Sequence, residues 1–380
     1  MVKTIDDFKM YNKTVLLRAD LNSEVTKGKV IFSERMKAAV ATMRELHKKK
    51  AKVVVIAHQG RPQDRDFTSM KQHASYLKEY IPIRFINDLT GKKAQEAIKN
   101  LKKGELILLE NVRSEKDEFH PEKKNNKLVQ ALAPHADLYV NDAFSVSHRN
   151  QTSITAFPKY LPHGVGRLFE QELYSLKKIH LQNSLFILGG AKPEENLALL
   201  KNKNILSCGY FCHLCLIAKG YRLGKQEDVL KKEIKDFPAV IKHIKKYLHH
   251  IQTPIDFAIQ EKGKRKEISL EQLPIDKLLF DIGDRTIEQY TKEITKATSI
   301  FYKGPSGLYS DTRFMKGTKE LLKAIANSKA FSVIGGGHSN EAIKRSHINK
   351  NKFDYISLSG GALIEYLAGK KLPGLEALER

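Results

Sequence analysis

Six short apolar runs in the second half of this chain each stop abruptly in a turn that carries glycine. Leu185–Leu188 runs into Gly189, Gly190, Ala191 and Lys192, and Ile205–Leu206 into Ser207, Cys208 and Gly209. Leu278–Ile282 stops at Gly283, and Ile300–Lys303 at Gly304, Pro305, Ser306 and Gly307. Phe331–Ile334 stops at Gly335, Gly336 and Gly337, and Tyr355–Leu358 at Ser359, Gly360 and Gly361. A run this short and this apolar, followed by glycine and a helical pattern, reads as a buried parallel strand feeding a tight turn. Glycine lets backbone N–H groups approach an anion, and the helix behind it favours negative charge. Ligands of open α/β sheets bind at the carboxyl ends of the strands. The pattern therefore predicts six turns along one edge of one sheet, at which a polyphosphate would sit.

The first half has the same rhythm and different chemistry. Thr14–Leu17 runs into Arg18, Asp20 and Asn22, and Lys52–Ile56 into His58, Gly60, Arg61 and Pro62. Leu106–Leu109 runs into Glu110, Asn111 and Arg113, and Leu138–Val140 into Asn141, Asp142, His148 and Arg149. Arg35 follows the first run at an expected helix start. One arginine after a strand is ordinarily a solvated charge. Five arginines and two histidines gathered along four strands instead suit a small ligand with several negative charges, because guanidinium forks bind carboxylate and phosphate in pairs of hydrogen bonds.

The reading is α/β: two doubly wound parallel-sheet (Rossmann-like) domains joined by a hinge helix. Residues 1–166 form the first, 167–183 the hinge helix and 184–361 the second, with the tail 362–380 returning to the first. The 380 residues suffice for two such domains. No apolar run has the length of a membrane span, no secretory h-region opens the chain, and the three cysteines crowd between 208 and 215. A cytoplasmic protein without disulfides is expected. The formal charge of +23 raises nucleic-acid binding. The lysines, however, are spread over amphipathic helical stretches, and no nucleic-acid motif accompanies them, so neither nucleic acid nor membrane is expected as a partner. Cys208, Cys212, His213 and Cys215 would be spread around a helix axis and read as buried thiols. No Gly-x-Ser-x-Gly elbow or Gly-x-Gly-x-x-Gly turn supports a hydrolase or a dehydrogenase.

The motifs as a set, in order, resemble the phosphoglycerate kinase family over essentially the whole chain. Those of the first half are Arg18–Asn22, Ala57–Pro62, Leu109–Arg113, Val140–Phe144 and His148–Arg149. Those of the second are Gly189–Lys192, Asp281–Gly283, Lys303–Gly307, Gly335–Gly337 and Leu372–Leu375. The resemblance implies a monomeric glycolytic transferase. Such an enzyme moves a phosphoryl group between 1,3-bisphosphoglycerate and ADP, giving 3-phosphoglycerate and ATP, with Mg²⁺. It implies a first domain holding 3-phosphoglycerate through Asp20, Asn22, Arg35, His58, Arg61, Arg113 and Arg149. The second domain would hold the nucleotide through Lys192, Gly209, Gly304, Gly307, Ser310, Gly335, Gly336, Gly337, His338 and Ser339. Arg35 and Lys192 would supply catalytic charge.

The nucleotide edge departs from that pattern. His338 stands where the family has the metal-binding Asp, and imidazole is a poor Mg²⁺ ligand, so no residue is assigned to the metal. Asn196 replaces a lysine, Lys303 an asparagine and Ser310 the ribose-binding glutamate. Tyr210 enters a glycine turn. The alternative is a catalytically impaired relic that binds 3-phosphoglycerate without efficient ATP use.

Overall fold

A computed structural model describes residues 2–180 and 182–379. It divides into two compact units, one reaching Tyr174 and also taking the chain from Lys371 onward, the other running from Ser175 to Lys370.

Unit 1 is built on six parallel strands. In chain order they are β1 (Thr14–Ala19), β4 (Lys52–Ile56), β5 (Ile83–Phe85), β6 (Leu106–Leu108), β7 (Leu138–Asp142) and β8 (His163–Val165), in the spatial order β5-β6-β4-β1-β7-β8. A two-stranded hairpin, β2 (Val25–Thr26) with β3 (Lys29–Val30), follows β1. β1, β4 and β7 are buried along nearly their whole length because helices cover both faces of the sheet, which is why they read as unbroken apolar runs. Register sets Arg18 opposite Ile56 on one side and Asn141 on the other, so the polar residues after these strands open at one carboxyl edge. Helix Glu34–Lys48 begins with Ser33 accepting from the Met36 N–H. That cap places Arg35 in the first turn. The C-terminal helix Pro373–Leu378 packs in this unit, the Gly374 N–H donating to the Ser147 carbonyl at 2.8 Å.

Unit 2 holds a second six-stranded parallel sheet in the spatial order β11-β10-β9-β15-β16-β17. Its members are β9 (Leu185–Leu188), β10 (Ile205–Ser207), β11 (Ile251–Gln252), β15 (Ser299–Lys303), β16 (Phe331–Gly335) and β17 (Tyr355–Ile356). The run Leu278–Ile282 is a correction to the sequence reading. Its strand β14 (Leu279–Ile282) lies in a separate antiparallel sheet with β12 (Asp256–Glu261) and β13 (Lys264–Ser269). An apolar run reports burial and not strand direction; here the β12–β13 hairpin supplies the partner.

The hinge helix expected over 167–183 is shorter: it spans Arg167–Lys177, and Leu181 lies outside the described residues. Its first turn is fixed by Asp142 at the end of β7, whose Oδ1 accepts from the Leu168 and Phe169 N–H groups at 2.9 and 3.1 Å. Burial pushes this carboxyl up to about 7. The folded chain then keeps a proton that the unfolded chain, with an ordinary carboxyl, releases near pH 4. Stability is therefore expected to fall as pH rises from about 4 to about 7 and to level off above. Asp142→Asn, which retains the acceptor oxygen, should flatten that slope in thermal unfolding scans; parallel wild-type and variant curves would refute the assignment.

Candidate active site

Arg18 is the hub of the arginine edge. It is completely buried, and its guanidinium donates to Ser153 Oγ at 3.0 Å and to the Ala19 carbonyl at 2.6 Å, and meets His58 Nδ1 at 2.9 Å. Ser153 passes the contact on, its hydroxyl donating to the buried Glu118 at 2.7 Å and its N–H at 2.9 Å. Sequence reasoning did not single out Glu118 or Ser153; neither belongs to a motif, and their partners are remote in the chain.

Near this hub the expected substrate residues of unit 1 form several small hydrogen-bonded groups whose charges act on one another. Asp20 Oδ2 accepts from Ser145 Oγ at 2.6 Å and pairs with Arg35 at 3.5 Å, while its buried Oδ1 has no partner. Asn22 accepts from the Gly60 N–H at 2.9 Å, and Arg113 donates to the Gly60 carbonyl and, at 3.5 Å, to Gln151. Gly60 has φ +65, and a Cβ there would lie 2.5 Å from the Asp66 backbone, so glycine alone fits this turn. Arg149 reaches His148 at 3.5 Å, and Arg61 is exposed beside these groups.

The electrostatics of the edge are lopsided. Burial, then Arg18, Arg113, Arg149 and Arg35, hold His58 well below the ordinary imidazole range, so it is neutral. Burial together with Arg149 and Arg18 brings Arg113 down to about 9, and burial with Arg61 and Arg18 lowers Arg149. Cations that destabilise one another at a half-open edge favour an anionic ligand.

In unit 2 the glycine turns after β9 and β15 touch. Gly304 has φ +81, and a Cβ there would come within 2.6 Å of the Gly189 backbone. The Gly304 N–H donates to Ser339 Oγ at 2.9 Å, and that hydroxyl donates to the Gly335 carbonyl at 2.7 Å, which fixes the third turn to the second. Beside them lies a mainly apolar cavity of about 180 Å³ lined by Gly190, Gly209, Tyr210, Phe280, Gly307 and Tyr309, among others. Its size and apolar lining suit a small ring system. Tyr210 forms part of this wall, the half-buried ring standing at the first turn of helix Gly209–Ala218. Lys192 is exposed at the start of the 3₁₀ turn Pro193–Leu199, and Gly336 and Gly337 open helix Gly337–Arg345.

Two residues stand apart from this cavity. Ser310 is exposed in the turn beyond Tyr309 and does not line it. His338 Nδ1 meets the Tyr309 hydroxyl at 3.0 Å. At that position the side chain brings a nitrogen, already hydrogen-bonded, where a hard cation calls for a carboxylate oxygen, so His338 does not fit an Mg²⁺ ligand. Cys208, Cys212 and Cys215 are buried free thiols, pushed up by burial.

An arginine-rich sheet edge on one α/β unit, with glycine turns beside an apolar cavity on another, is the arrangement of a phosphotransferase. The family model described as phosphoglycerate kinase matches residues 5–370. The phosphoglycerate kinase of Methanopyrus kandleri is 37% identical, covering 99% of this chain and 97% of its own, and that of Methanococcus maripaludis is 39% identical, covering 100% and 98%. The crystal structure of phosphoglycerate kinase from Pyrococcus horikoshii superposes with a TM-score of 0.86 at 37% identity, covering 100% of this chain and 98% of that one. The chain belongs to the phosphoglycerate kinase family. It is an enzyme that transfers a phosphoryl group between 1,3-bisphosphoglycerate and ADP.

Proposed function

We propose that unit 1 holds 3-phosphoglycerate at the arginine edge and that unit 2 holds ADP or ATP against its glycine turns. The observation that carries this reading is the gathering of Arg18, Arg35, Arg113 and Arg149 about the buried His58, with Asp20 as the acid paired to Arg35. Arg61 completes the set, and Asn22 and Asp20 position the turn and the Arg35 fork. In unit 2, backbone N–H groups at Gly336 and Gly337, where helix Gly337–Arg345 begins, serve the phosphates, Gly304 and Gly335 hold the turns through Ser339, and the cavity at Gly209 and Gly307 takes the base. Arg35 and Lys192 neutralise the transferred group. This chemistry needs positioning and charge more than an acid or base.

Isothermal titration with 3-phosphoglycerate tests the unit 1 assignment. Arg61→Ala and Arg149→Ala are each expected to weaken binding by about 1.5–3 kcal/mol, the range for a hydrogen bond to a charged group. Unchanged affinity in both variants would remove the ligand from this edge. Salt-sensitive DNA binding tighter than binding of the acid would favour the nucleic-acid alternative.

The proposal extends to Mg²⁺, held by nucleotide phosphates and water and not by the residue at 338. His338→Asp adds a hard oxygen and a negative charge, and should lower the Mg²⁺ concentration giving half-maximal turnover. An identical Mg²⁺ titration in wild type and variant would show that position 338 is remote from the metal. Cytoplasmic residence and a monomeric state belong to the same reading. No described helix is long and apolar enough to cross a membrane, and size-exclusion chromatography with light scattering reads the oligomeric state.

A further inference from the structure

Lys303 and Asn196, two departures at the nucleotide edge, are partners in one contact. Lys303 is the last residue of β15, opposite Leu188 on one neighbour and Gly335 on the other. Its carbonyl accepts from the Gly189 N–H at 2.7 Å, so its backbone is locked between two glycine turns. Its ammonium donates to Asn196 Oδ1 at 3.0 Å and lies 3.0 Å from Glu195 Oε2. Asn196 is fully buried and is itself fixed by donating to the Gly189 carbonyl at 3.2 Å. The two holding groups differ. Asn196 is rigid, whereas the Glu195 side chain is 52% exposed and can swing away. Lys303 also lines a cleft of about 320 Å³ with Glu195, Gly335, Gly336 and Lys370. Burial acts against the charge on Lys303, Glu195 supports it, and Lys192 adds a smaller opposing influence. An ammonium placed beside a second lysine, at the mouth of three glycine turns, calls for an anion of higher charge than one mobile carboxylate.

We propose that Lys303 is a catalytic residue of this enzyme, its ammonium exchanging the Glu195 carboxylate for oxygens of the transferred phosphoryl group, with Asn196 as the positioning residue. No proton moves and no bond to Lys303 forms; one anionic partner replaces another. The proposal rests on the reading that unit 2 takes ADP or ATP. It adds that the second cation of this edge comes from the end of a strand and not from the turn after Lys192.

The test uses the full chain, with turnover of ATP and 3-phosphoglycerate, KM for ATP, the thermal midpoint, and calorimetric affinity for 3-phosphoglycerate. Lys303→Met keeps the stem and removes the charge. It is expected to lower kcat by about 10²–10³-fold while changing the KM for ATP by less than about tenfold. Lys303→Arg should retain kcat within about tenfold of wild type. The double variant Lys303→Asn with Asn196→Lys carries the ammonium across the contact, and should recover at least about tenfold of the loss. A Lys303→Met enzyme within about threefold of wild-type kcat overturns the proposal and leaves the kinase reading intact, including where the thermal midpoint falls. A Lys303→Arg loss as deep as that of Lys303→Met, in folded protein, overturns it as well. Wild type that binds 3-phosphoglycerate but does not turn over ATP overturns the reading beneath it and the proposal together.

Discussion

Replacing Arg35 by alanine is expected to lower kcat by about 10²–10³-fold, a loss of roughly 3–4 kcal/mol of transition-state stabilisation. The argument starts from the helix cap. Ser33 holds the first turn of helix Glu34–Lys48, so the Arg35 backbone is fixed while its side chain remains 29% exposed and reaches Asp20 only at 3.5 Å. The guanidinium is therefore anchored but not sequestered, as a group that meets charge developing on a transferred phosphoryl must be. The planar fork matters as well as the charge. Arg35→Lys is expected to fall between wild type and alanine, because an ammonium cannot bond two phosphoryl oxygens in parallel. The pair with Asp20 is long and the Arg35 side chain partly solvated, so the change in stability should be small beside the loss of rate. Steady-state kinetics at saturating substrates, beside the calorimetric affinity for 3-phosphoglycerate, separate a transition-state role from ground-state binding. An Arg35→Ala enzyme with weakened binding and an intact kcat would make Arg35 a binding residue only.

Much of this architecture was readable because buried parallel strands leave a simple trace. β1, β4, β9, β15 and β16 have helices on both faces, so their apolar runs are continuous and their ends are sharp. The parallel strands that escaped notice lie at the sheet margins. Ile83–Phe85 is interrupted by the exposed Arg84, His163–Val165 carries a glycine at its centre, and Ile251–Gln252 is two residues long. β14 was visible as a strand, but its antiparallel direction depends on a hairpin earlier in the chain. The arginine edge could be seen because its members follow strands. What joins them could not: Arg18 meets His58 from 40 residues away and Ser153 from 135, and local pattern says nothing about such pairs. Lys303 and Asn196 likewise stand 107 residues apart, and read singly they are two unrelated losses.

The second large effect concerns stability. Arg18→Met is expected to destabilise unit 1 by about 3–5 kcal/mol, the range for removing one partner from a buried ion pair. Arg18 and Glu118 are both completely buried and communicate through the Ser153 hydroxyl, which accepts from the guanidinium and donates to the carboxylate. Burial raises the Glu118 carboxyl, and Arg18 is the largest influence drawing it back. Methionine in place of Arg18 fills similar volume but leaves that carboxylate without its main counter-charge, Arg113 contributing less. The damage should then depend on Glu118: in Arg18→Met with Glu118→Gln the uncompensated charge is gone, and part of the loss should return. The site should suffer too, because His58 loses the guanidinium against its Nδ1 and with it a fixed ring orientation. Affinity for 3-phosphoglycerate is expected to fall even in folded double variant, although neither replaced residue belongs to the proposed ligand shell. Two units need not unfold as one, so the readout is the urea transition that 3-phosphoglycerate shifts, which reports unit 1. A change below about 1 kcal/mol would mean that Glu118 is neutral in the folded protein and that the Arg18 contacts carry no net electrostatic stabilisation.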